Sequence, residues 1–498
     1  MKKFLMVLCC IFSLGFVLAG CSTVGMIQND SNELIYNGNA GVTIGDYLYY
    51  GNAYNEVSSL SDLSGLNDVK KSSFLARINL ENIDAKGQNF TPNGVEKVIK
   101  EEAIAQENQF MFAIGNYIYY LKPDIHRYTT DDGAEYQFGY SVLCSVKLDG
   151  NSNREIYTYQ GEVTEIEVVK NGDNYYVVAF AGDKLFATKL NNGNGSTKVL
   201  GEGVTSVAIP NTNNTSAAGY TDEWNGKIYF TATIDDVTSV KEIAVDADDA
   251  DEATIIGDKN GTVSFVYRQN DLIFYTYTSG STTRTYYNNV KDLTGDYYQN
   301  DIIMVDGEHD FNSATISNVY VMQYGTSHET VIYTANSNVY YKNQTGSGRV
   351  TISDGTNDLT TATVVAIDDR DAFVMSSTGI YEVDFASLTT AKGDVSLNST
   401  KTLITMTTID TTLYGFDGEY IYFYAGLEAL TDDEQELIND KKEAAGIEIS
   451  DEEEDITTLD DGTYLYRVSV QGADGQCASQ LLGITDYAER HSSYQYKA

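Results

Sequence analysis

Two short stretches contain residue types that could bind a metal or transfer protons. In Asp306-Gly307-Glu308-His309-Asp310 an imidazole stands among carboxylates, and Pro123-Asp124-Ile125-His126-Arg127, with Asp131 and Asp132 after it, is expected in a long inter-strand loop. Polar loops at the rim of a β-sheet protein have the same composition, so neither stretch is assigned a catalytic role. The first is retained as a candidate surface site, formed by Asp306, Glu308, His309 and Asp310.

Motifs for other chemistries are missing from the sequence. The run from Asp246 to Glu252 supplies positions 1 and 3 of a calcium loop, but Ala250 stands at position 5 and Asp251 where glycine is needed, which leaves only weak cation binding open. The sequence contains no two-histidine zinc motif, no Gly-x-Ser-x-Gly elbow and no phosphate-binding Gly-x-x-x-x-Gly-Lys-Ser/Thr loop. Paired carboxylates for glycoside cleavage stay open, because two of the 72 acidic residues could meet in a cleft without a local signature. We therefore predict no catalytic residue, metal site or cofactor.

The N-terminus has the features of an export signal. Met1-Lys2-Lys3 precedes an apolar run from Phe4 to Ala19, which is shorter than the roughly 20 residues of a membrane-spanning helix. Leu18-Ala19-Gly20-Cys21 resembles the bacterial lipobox, which implies a signal peptide at 1–20, cleavage before Cys21 and a diacylglyceryl group on its sulfur. The expected location is the extracytoplasmic side of the cell membrane, held there by lipid. An ordinary secretory signal with a chance cysteine would instead give a soluble secreted protein.

Charge and cysteine content limit the possible partners. Loss of residues 1–20 removes two of 32 basic residues and none of 72 acidic ones, so the mature net charge is −42. A nucleic-acid partner is not expected, because phosphate binding requires a basic surface. The charge favours solubility and a monomer, and attraction for a cationic partner is the alternative. Cys144 and Cys477, which remain beside Cys21, are expected as buried thiols rather than as a disulfide.

Hydrophobic residues come in short alternating runs that predict strands. The sequence has 39 Tyr and 42 Gly but only three Pro, a composition typical of pleated strands joined by glycine turns. A Tyr-rich unit is nearly the same in Ile44–Tyr50 and Ile114–Tyr120, and six looser copies follow. These copies are Gly172–Tyr176, Asn225–Phe230, Asn270–Tyr275, Val331–Tyr333, Ala372–Val374 and Asp417–Phe423, the fourth and fifth of them being the weakest.

A second alternating unit follows most of these copies. It is clearest in Leu143–Gly150, Leu185–Gly193 and Leu465–Gly472, and weaker in Leu75–Leu80, Lys241–Asp246 and Ile380–Asp384. The first unit recurs every 53 residues or so, whereas a four-stranded propeller blade needs about 40 to 50. The fold predicted is therefore all-β, a β-propeller of seven or eight four-stranded blades. A flexible tether at 21–40 and a single propeller domain at 41–498 complete the expected organisation.

The combination of a turn before Ile/Leu-Tyr-Tyr with Leu-x-x-Val-x-Leu-Asp-Gly resembles a known group. It is similar to the extracytoplasmic propeller repeats of the TolB and low-density-lipoprotein-receptor types, and covers most of residues 41–482. The receptor signature Tyr-Trp-Thr-Asp is missing, and the only tryptophan is Trp224. The resemblance thus implies a propeller but no ligand-binding residues.

Residues 430–459 interrupt the last repeat with a dense run of acids. Thr431 with Glu434 is typical of a capping box and Gly446 of a helix stop, which predicts a short acidic helix inserted on one face. A solvated spacer or a binding insertion would both have this composition.

The predicted function is a lipid-anchored, non-catalytic binding module that presents a propeller face to a protein or glycan. The alternative is a surface polysaccharide hydrolase or lyase with acidic residues in the central funnel. Exposed tyrosines in loops would suit either function, because aromatic rings stack on sugars and also anchor protein interfaces.

Overall fold

A computed structural model describes the part of the chain from Asn29 to Leu481, with gaps. The described residues are 29, 33–36, 41–56, 71–80, 96–99, 103–105, 110–130, 133–210, 226–234, 237–257, 262–269, 272–289, 302–303, 316–323, 326–335, 337–359, 362–406, 409–426, 463–471 and 479–481. The acidic insertion at 430–459 lies outside these residues.

Strands dominate the described residues, where they form eight sheets arranged as the blades of a propeller. The longest helical segments in the same residues are two 3-10 turns, Ala250–Glu252 and Ala386–Thr389. No helix among them has the length and apolarity to cross a bilayer. The all-β propeller prediction is confirmed, and the blade count is eight.

The chain first forms a short strand, β1 (Leu34–Ile35), and then the blades in order. Blade 1 consists of β2 (Gly41–Ile44), β3 (Tyr47–Glu56), β4 (Lys71–Asn79), β5 (Glu96–Lys97) and β6 (Ala103–Ala105), and blade 2 of β7 (Met111–Ile114), β8 (Tyr117–Thr130), β9 (Gly133–Lys147) and β10 (Arg154–Thr158). Blade 3 consists of β11 (Val163–Asn171), β12 (Asn174–Ala181), β13 (Lys184–Asn191) and β14 (Asn194–Glu202). Blade 4 consists of β15 (Val204–Ala208), β16 (Lys227–Ile234), β17 (Val237–Ala244) and β18 (Thr254–Gly257).

Blades 5 to 8 follow the same plan. Blade 5 consists of β19 (Thr262–Gln269), β20 (Leu272–Ser279), β21 (Thr282–Asn289) and β22 (Ile302–Ile303), and blade 6 of β23 (Ile316–Met322), β24 (Thr330–Ala335), β25 (Asn338–Asn343) and β26 (Ser347–Ser353). Blade 7 consists of β27 (Thr363–Asp368), β28 (Asp371–Ser376), β29 (Gly379–Asp384) and β31 (Lys401–Thr405), while β30 (Val395–Asn398), which lies between the last two in sequence, joins blade 6. Blade 8 consists of β32 (Ile409–Phe416), β33 (Tyr420–Gly426), β34 (Thr463–Ser469) and β35 (Ser479–Leu481).

The repeated sequence units occupy equivalent places in the blades. In blades 1 and 2, Ile44 pairs with Tyr47 and Ile114 with Tyr117, so a two-residue turn joins the first strand to the second. The turn requires glycine at Gly45, whose φ of 57° is unfavourable for residues with a side chain. All eight Tyr-rich units lie on the second strand of a blade, and all six copies of the second unit lie on a third strand.

A hydrophobic cluster fills each of the eight junctions between neighbouring blades. Successive side chains of a strand point to opposite faces, so consecutive tyrosines serve different junctions. Tyr49 packs toward blade 2 and Tyr50 toward blade 8, while Tyr119 packs toward blade 3 and Tyr120 toward blade 1. Cys144 is buried in the cluster between blades 1 and 2, as predicted for a core thiol; Cys477 lies outside the described residues.

Side chains close the ring between the last blade and the first. The closing cluster contains Leu48, Tyr50, Ala76 and Ile78 of blade 1 and Tyr422, Tyr424 and Leu465 of blade 8. Among the described strands, none of blade 1 pairs with a strand of blade 8. Closure in this part of the chain therefore rests on packing.

The ring has two chemically different faces. The turn face carries the connections from first to second and from third to fourth strands, which contact one another between blades: Tyr49 Oη donates to the Leu148 carbonyl (3.0 Å) and Gly193 N donates to Tyr119 Oη (3.0 Å). The hairpin face carries the connections from second to third strands and from blade to blade, as where Val204 N donates to the Asp183 carbonyl (2.8 Å).

An N-terminal strap, Asn29 and Glu33–Tyr36, lies along the inner edge of blade 2. Strand β1 pairs antiparallel with β7, Leu34 opposite Ile114, and Leu34 N donates to Tyr175 Oη of blade 3 (3.3 Å). Asn29 bonds the turn-face loop of blade 2 through Asn116 Oδ1 (2.7 Å) and the Gly115 carbonyl (3.0 Å). The predicted tether at 21–40 thus includes residues that belong to the propeller, because Leu34, Ile35 and Tyr36 are apolar and pack on the inter-blade clusters.

One strand crosses between blades on the outer rim. The connection from β29 to β31 in blade 7 contributes β30, which pairs in parallel with β26 of blade 6, Val350 opposite Val395. Asn343 of blade 6, only 3% exposed, donates to the carbonyls of Leu388 (2.5 Å) and Ala391 (3.0 Å) in that connection. Blades 6 and 7 are therefore clasped by backbone pairing as well as by side chains.

Candidate functional site

The predicted site residues fall mostly outside the described part of the chain. Cys21 precedes it, and Asp306, Glu308, His309 and Asp310 belong to the connection between β22 and β23, which is not among the described residues. Both assignments therefore stay predictions. Because that connection joins blade 5 to blade 6, its flanking strands end and begin on the hairpin face.

The acidic run from Asp246 to Glu252 is the turn-face loop between β17 and β18. Asp249 Oδ1 accepts from Asp251 N (2.9 Å), and Glu252 Oε1 accepts from Asp248 N (2.8 Å). Asp248 also pairs with Lys198 (2.7 Å), whose charge and hydrogen bond lower the pKa of that carboxyl. Within the described residues, no three His, Cys, Asp or Glu side chains come together as a metal site would require.

The stretch from Pro123 to Arg127 lies in a strand, not in the long loop that was expected. It belongs to β8, which pairs with β9 continuously to the pair Thr130 and Gly133. Pro123 does not end the strand, because the register shifts at that residue and the pairing continues beyond it. The pairs beyond Lys122 form an arm on the hairpin face, defined as residues 123–130 and 133–140.

The arm extends well past the other blades. Strands β8 and β9 have 14 and 15 residues, whereas the second and third strands of the other blades have between six and ten. Eight residues of strand project by about 26 Å. Strand β6 of blade 1 lies against β8, so two neighbouring blades support the arm.

Two glutamates form the most unusual polar group in the described residues. Glu165 and Glu167 lie on β11, the innermost strand of blade 3, on the same side as Val169, which packs toward blade 4. Glu167 Oε2 has no accessible surface and no hydrogen-bond partner in the described part of the chain. Burial raises the pKa of Glu165 to about 7, and burial together with the Glu165 charge raises the pKa of Glu167 to about 8.

The pKa values of both carboxyls are raised, which restricts the chemistry that the two groups can perform. Acid–base catalysis by paired carboxyls needs environments that separate the two pKa values, so that one group is protonated and the other ionised. Here desolvation favours the neutral form of both Glu165 and Glu167. Near pH 7 Glu167 favours its protonated form and can donate a hydrogen bond from β11, which as an innermost strand lines the central channel of the propeller.

Other polar groups on the inner strands are paired within the fold. Ser206 Oγ accepts from Phe265 N (2.8 Å), and Tyr414 Oη donates to Asn318 Oδ1 (3.0 Å). A cavity of about 20 Å³ beside Arg349 and Leu359 in blade 6 has room for one water molecule and not for a larger ligand. Neither feature adds a ligand site.

The tyrosines whose side chains the structure describes lie between the blades and not on the surface. Among the tyrosines whose side chains the structure describes, every one is buried or half-buried. Their rings fill the junctions between blades, as in the stacked pair Phe112 and Tyr119, with centroids 5.0 Å apart. An exposed aromatic platform for sugars is therefore not found in these residues.

Comparison with known proteins finds only distant structural similarities. Neither a protein-family model nor a curated protein matches the chain. Among solved structures, the Dos1 propeller matches at 9% identity with a TM-score of 0.41, over 81% of this chain and 91% of that one. TolB from Acinetobacter baumannii matches at 9% identity with a TM-score of 0.26, over 68% of this chain and 77% of that one.

A puromycin-hydrolyzing peptidase of Mycobacterium tuberculosis is also similar, at 9% identity and a TM-score of 0.37, over 72% of this chain. The present chain spans only 50% of that peptidase. At these identities and TM-scores the three likenesses carry no functional assignment.

Proposed function

We propose that this chain is a lipid-anchored, non-catalytic binding module on the extracytoplasmic side of the cell membrane, which contacts a protein or glycan through its hairpin face. The observation that supports the binding role is the arm. A two-stranded hairpin is at best marginally stable in water, and the ring closes without this extension. Binding segments are commonly projections held by a rigid scaffold, and the arm fits that description.

The binding role is tested by removing the arm without disturbing the blade. Asp124 pairs with Gly139, so replacing residues 124–139 by Asn-Gly preserves the register and supplies a two-residue hairpin turn. We expect the shortened protein to fold and to lose its partner in cross-linking from detergent-solubilised envelope and in binding to a glycan array. A matched control keeps the arm and changes only its tip, residues 131–132, to Asn-Gly. Equal capture by the shortened and full-length proteins would contradict the assignment of the arm.

The anchor is tested at Cys21. Mass spectrometry of the native protein should find a lipidated Cys21 at the N-terminus, and Cys21→Ser should release the chain from membranes or block cleavage. Membrane attachment of a Cys21→Ser protein that has been cleaved would refute the anchor.

A second candidate, a polysaccharide hydrolase or lyase, is favoured by the channel carboxyls Glu165 and Glu167. Release of reducing ends from a polysaccharide by the native protein, abolished in both Glu165→Gln and Glu167→Gln, would establish that alternative. We expect no such release, because both carboxyls favour the protonated form.

A further inference from the structure

The strap determines where the chain leaves the ring. Asn29 is hydrogen-bonded at Gly115 and Asn116, which form the turn-face loop of blade 2. From there Leu34 and Ile35 run along β7 toward the hairpin face, and blade 1 begins only afterwards. Any chain that precedes Asn29 therefore departs from the turn face.

The covalent distance from the anchor to this point is short. Seven residues lie between Cys21 and Asn29, so the chain makes eight steps of at most about 3.6 Å each, or about 29 Å in all. A ring with its hairpin face against the bilayer would require a longer path, because β8 runs from the turn face to the end of the arm over 14 residues, or about 46 Å. A route over the outer rim adds the width of a blade, with strands spaced by about 4.8 Å. The inverted orientation is out of reach.

The charge of the turn face opposes close contact with an anionic bilayer. Its loops carry many exposed acids: Asp46, Asp173, Asp246, Asp248, Asp249, Asp251, Glu252, Asp369 and Glu419. Like charges repel over a Debye length of about 10 Å at moderate salt, so the lipid and not the protein surface would hold the ring at the membrane.

We infer that the strap orients the propeller, with the turn face toward the bilayer and the hairpin face with its arm pointing away. This inference rests on the proposed lipid anchor at Cys21. It identifies the partner as a macromolecule that approaches from outside the cell's own bilayer, not as one embedded beside the anchor.

Blade 3 supplies a matched pair of positions for the test. Gly172-Asp173 and Gly182-Asp183 are both exposed Gly-Asp turns, at the two ends of β12 and hence on opposite faces. Asp173→Cys and Asp183→Cys, each in a Cys477→Ser background, would carry a fluorescent donor, while Cys144 is buried and escapes labelling. The parent Cys477→Ser protein should take up no label. Phosphatidylcholine vesicles containing an acceptor-labelled lipid then report the distance of each donor from the bilayer.

Attachment is made in two ways, so that orientation and anchor are tested separately. The first experiment uses the native lipidated protein. The second replaces residues 1–21 by a hexahistidine tag bound to a nickel-chelating lipid. We expect energy transfer at least about twofold stronger from position 173 than from 183 in both, because about 26 Å of strand separates the turns. A 30-residue Gly-Ser insertion before Asn29 should abolish this difference, because its r.m.s. length of roughly 30 Å frees the ring.

Equal transfer from the two positions on the nickel lipid, or stronger transfer from 183, would overturn the orientation. Failure of the native protein to float with vesicles would refute the anchor alone, since the experiment with the nickel-chelating lipid still measures the orientation.

Discussion

Neighbouring tyrosines on the second strands have separate tasks. Tyr49 and Tyr119 point to the following blade, and each hydroxyl bonds the backbone of a turn in it. Tyr50 and Tyr120 point to the preceding blade, where their rings fill the junction. The Tyr-Tyr pair therefore joins one blade to both of its neighbours.

Removing the Tyr119 hydroxyl should destabilise the junction of blades 2 and 3. Tyr119→Phe leaves the buried Gly193 N–H without its acceptor, which costs about 1 to 3 kcal/mol in the free energy of unfolding, measured by urea titration. Tyr157→Phe is the matched control, because its ring packs in the same cluster and no hydrogen bond of its hydroxyl is found among the described residues. Equal effects of the two changes would argue against the hydrogen bond.

The channel carboxyls should make stability depend on pH. In the folded protein Glu167 binds a proton up to about pH 8, whereas the unfolded chain releases it near pH 4.5. The folded state thus holds more protons between these values, so the contribution of Glu167 to stability is greatest below about pH 4.5 and is lost as pH rises to about 8. Glu167→Gln removes this loss and should stabilise the protein at pH 8 to 9, by a few kcal/mol at about 1.4 kcal/mol per pKa unit, with little change near pH 4.5. Glu202→Gln on the surface is the control; an equal pH dependence in both variants would contradict the prediction.

A buried amide supports the backbone pairing that clasps blades 6 and 7. Besides its two donated bonds, Asn343 Oδ1 accepts from the backbone of Thr345 (2.7 Å) and Gly346 (2.8 Å). Asn343→Ala should cost about 1 to 3 kcal/mol, because the buried Leu388 carbonyl and three part-buried backbone groups lose their partner. Hydrogen exchange should quicken at β30 in particular. Exposed Gln344→Ala, one residue along, should do neither; unaltered exchange at β30 in Asn343→Ala would show that the clasp does not depend on the amide.

Some elements could be predicted from the sequence because their residue pattern specifies a strand without reference to the rest of the fold. The Tyr-rich second strands were located in all eight blades and the alternating third strands in six of them, since alternation and a glycine turn identify a strand locally. The number of blades stayed at seven or eight because Val331–Tyr333 and Ala372–Val374 lack the glycine turn of Gly45.

Other elements depend on neighbours that the sequence does not reveal. Glu165 and Glu167 alternate with Ile166 and Val168, a pattern that predicts solvated glutamates, and only their position on an innermost strand makes them half-buried. The strap was missed because two paired residues, Leu34 and Ile35, are too few to show periodicity. Strand β30 pairs with another blade and so has no local signal.

For the whole ring, the junction between blades 8 and 1 should open first. Seven junctions are also joined by the covalent chain, while this one is held by side chains. Leu48→Ala at this junction and Leu185→Ala between blades 3 and 4 remove the same fully buried side chain, and each should cost about 2 to 5 kcal/mol. Only Leu48→Ala should speed hydrogen exchange throughout blades 1 and 8. Equal exchange patterns in the two variants would show that all junctions are equivalent.

The near-identity of the two clearest repeats has an evolutionary consequence. Ile44–Tyr50 and Ile114–Tyr120 agree at five of seven positions, and each presents one tyrosine forward and one backward. If a gene segment encoding one blade were duplicated in tandem, the new blade would lie beside the original. The forward-pointing side chains of one would then meet the same kind of backward-pointing side chains that they already contact. Such a ring could gain or lose whole blades without inventing a new contact, and curvature, not side-chain chemistry, would decide how many blades the descendants retain.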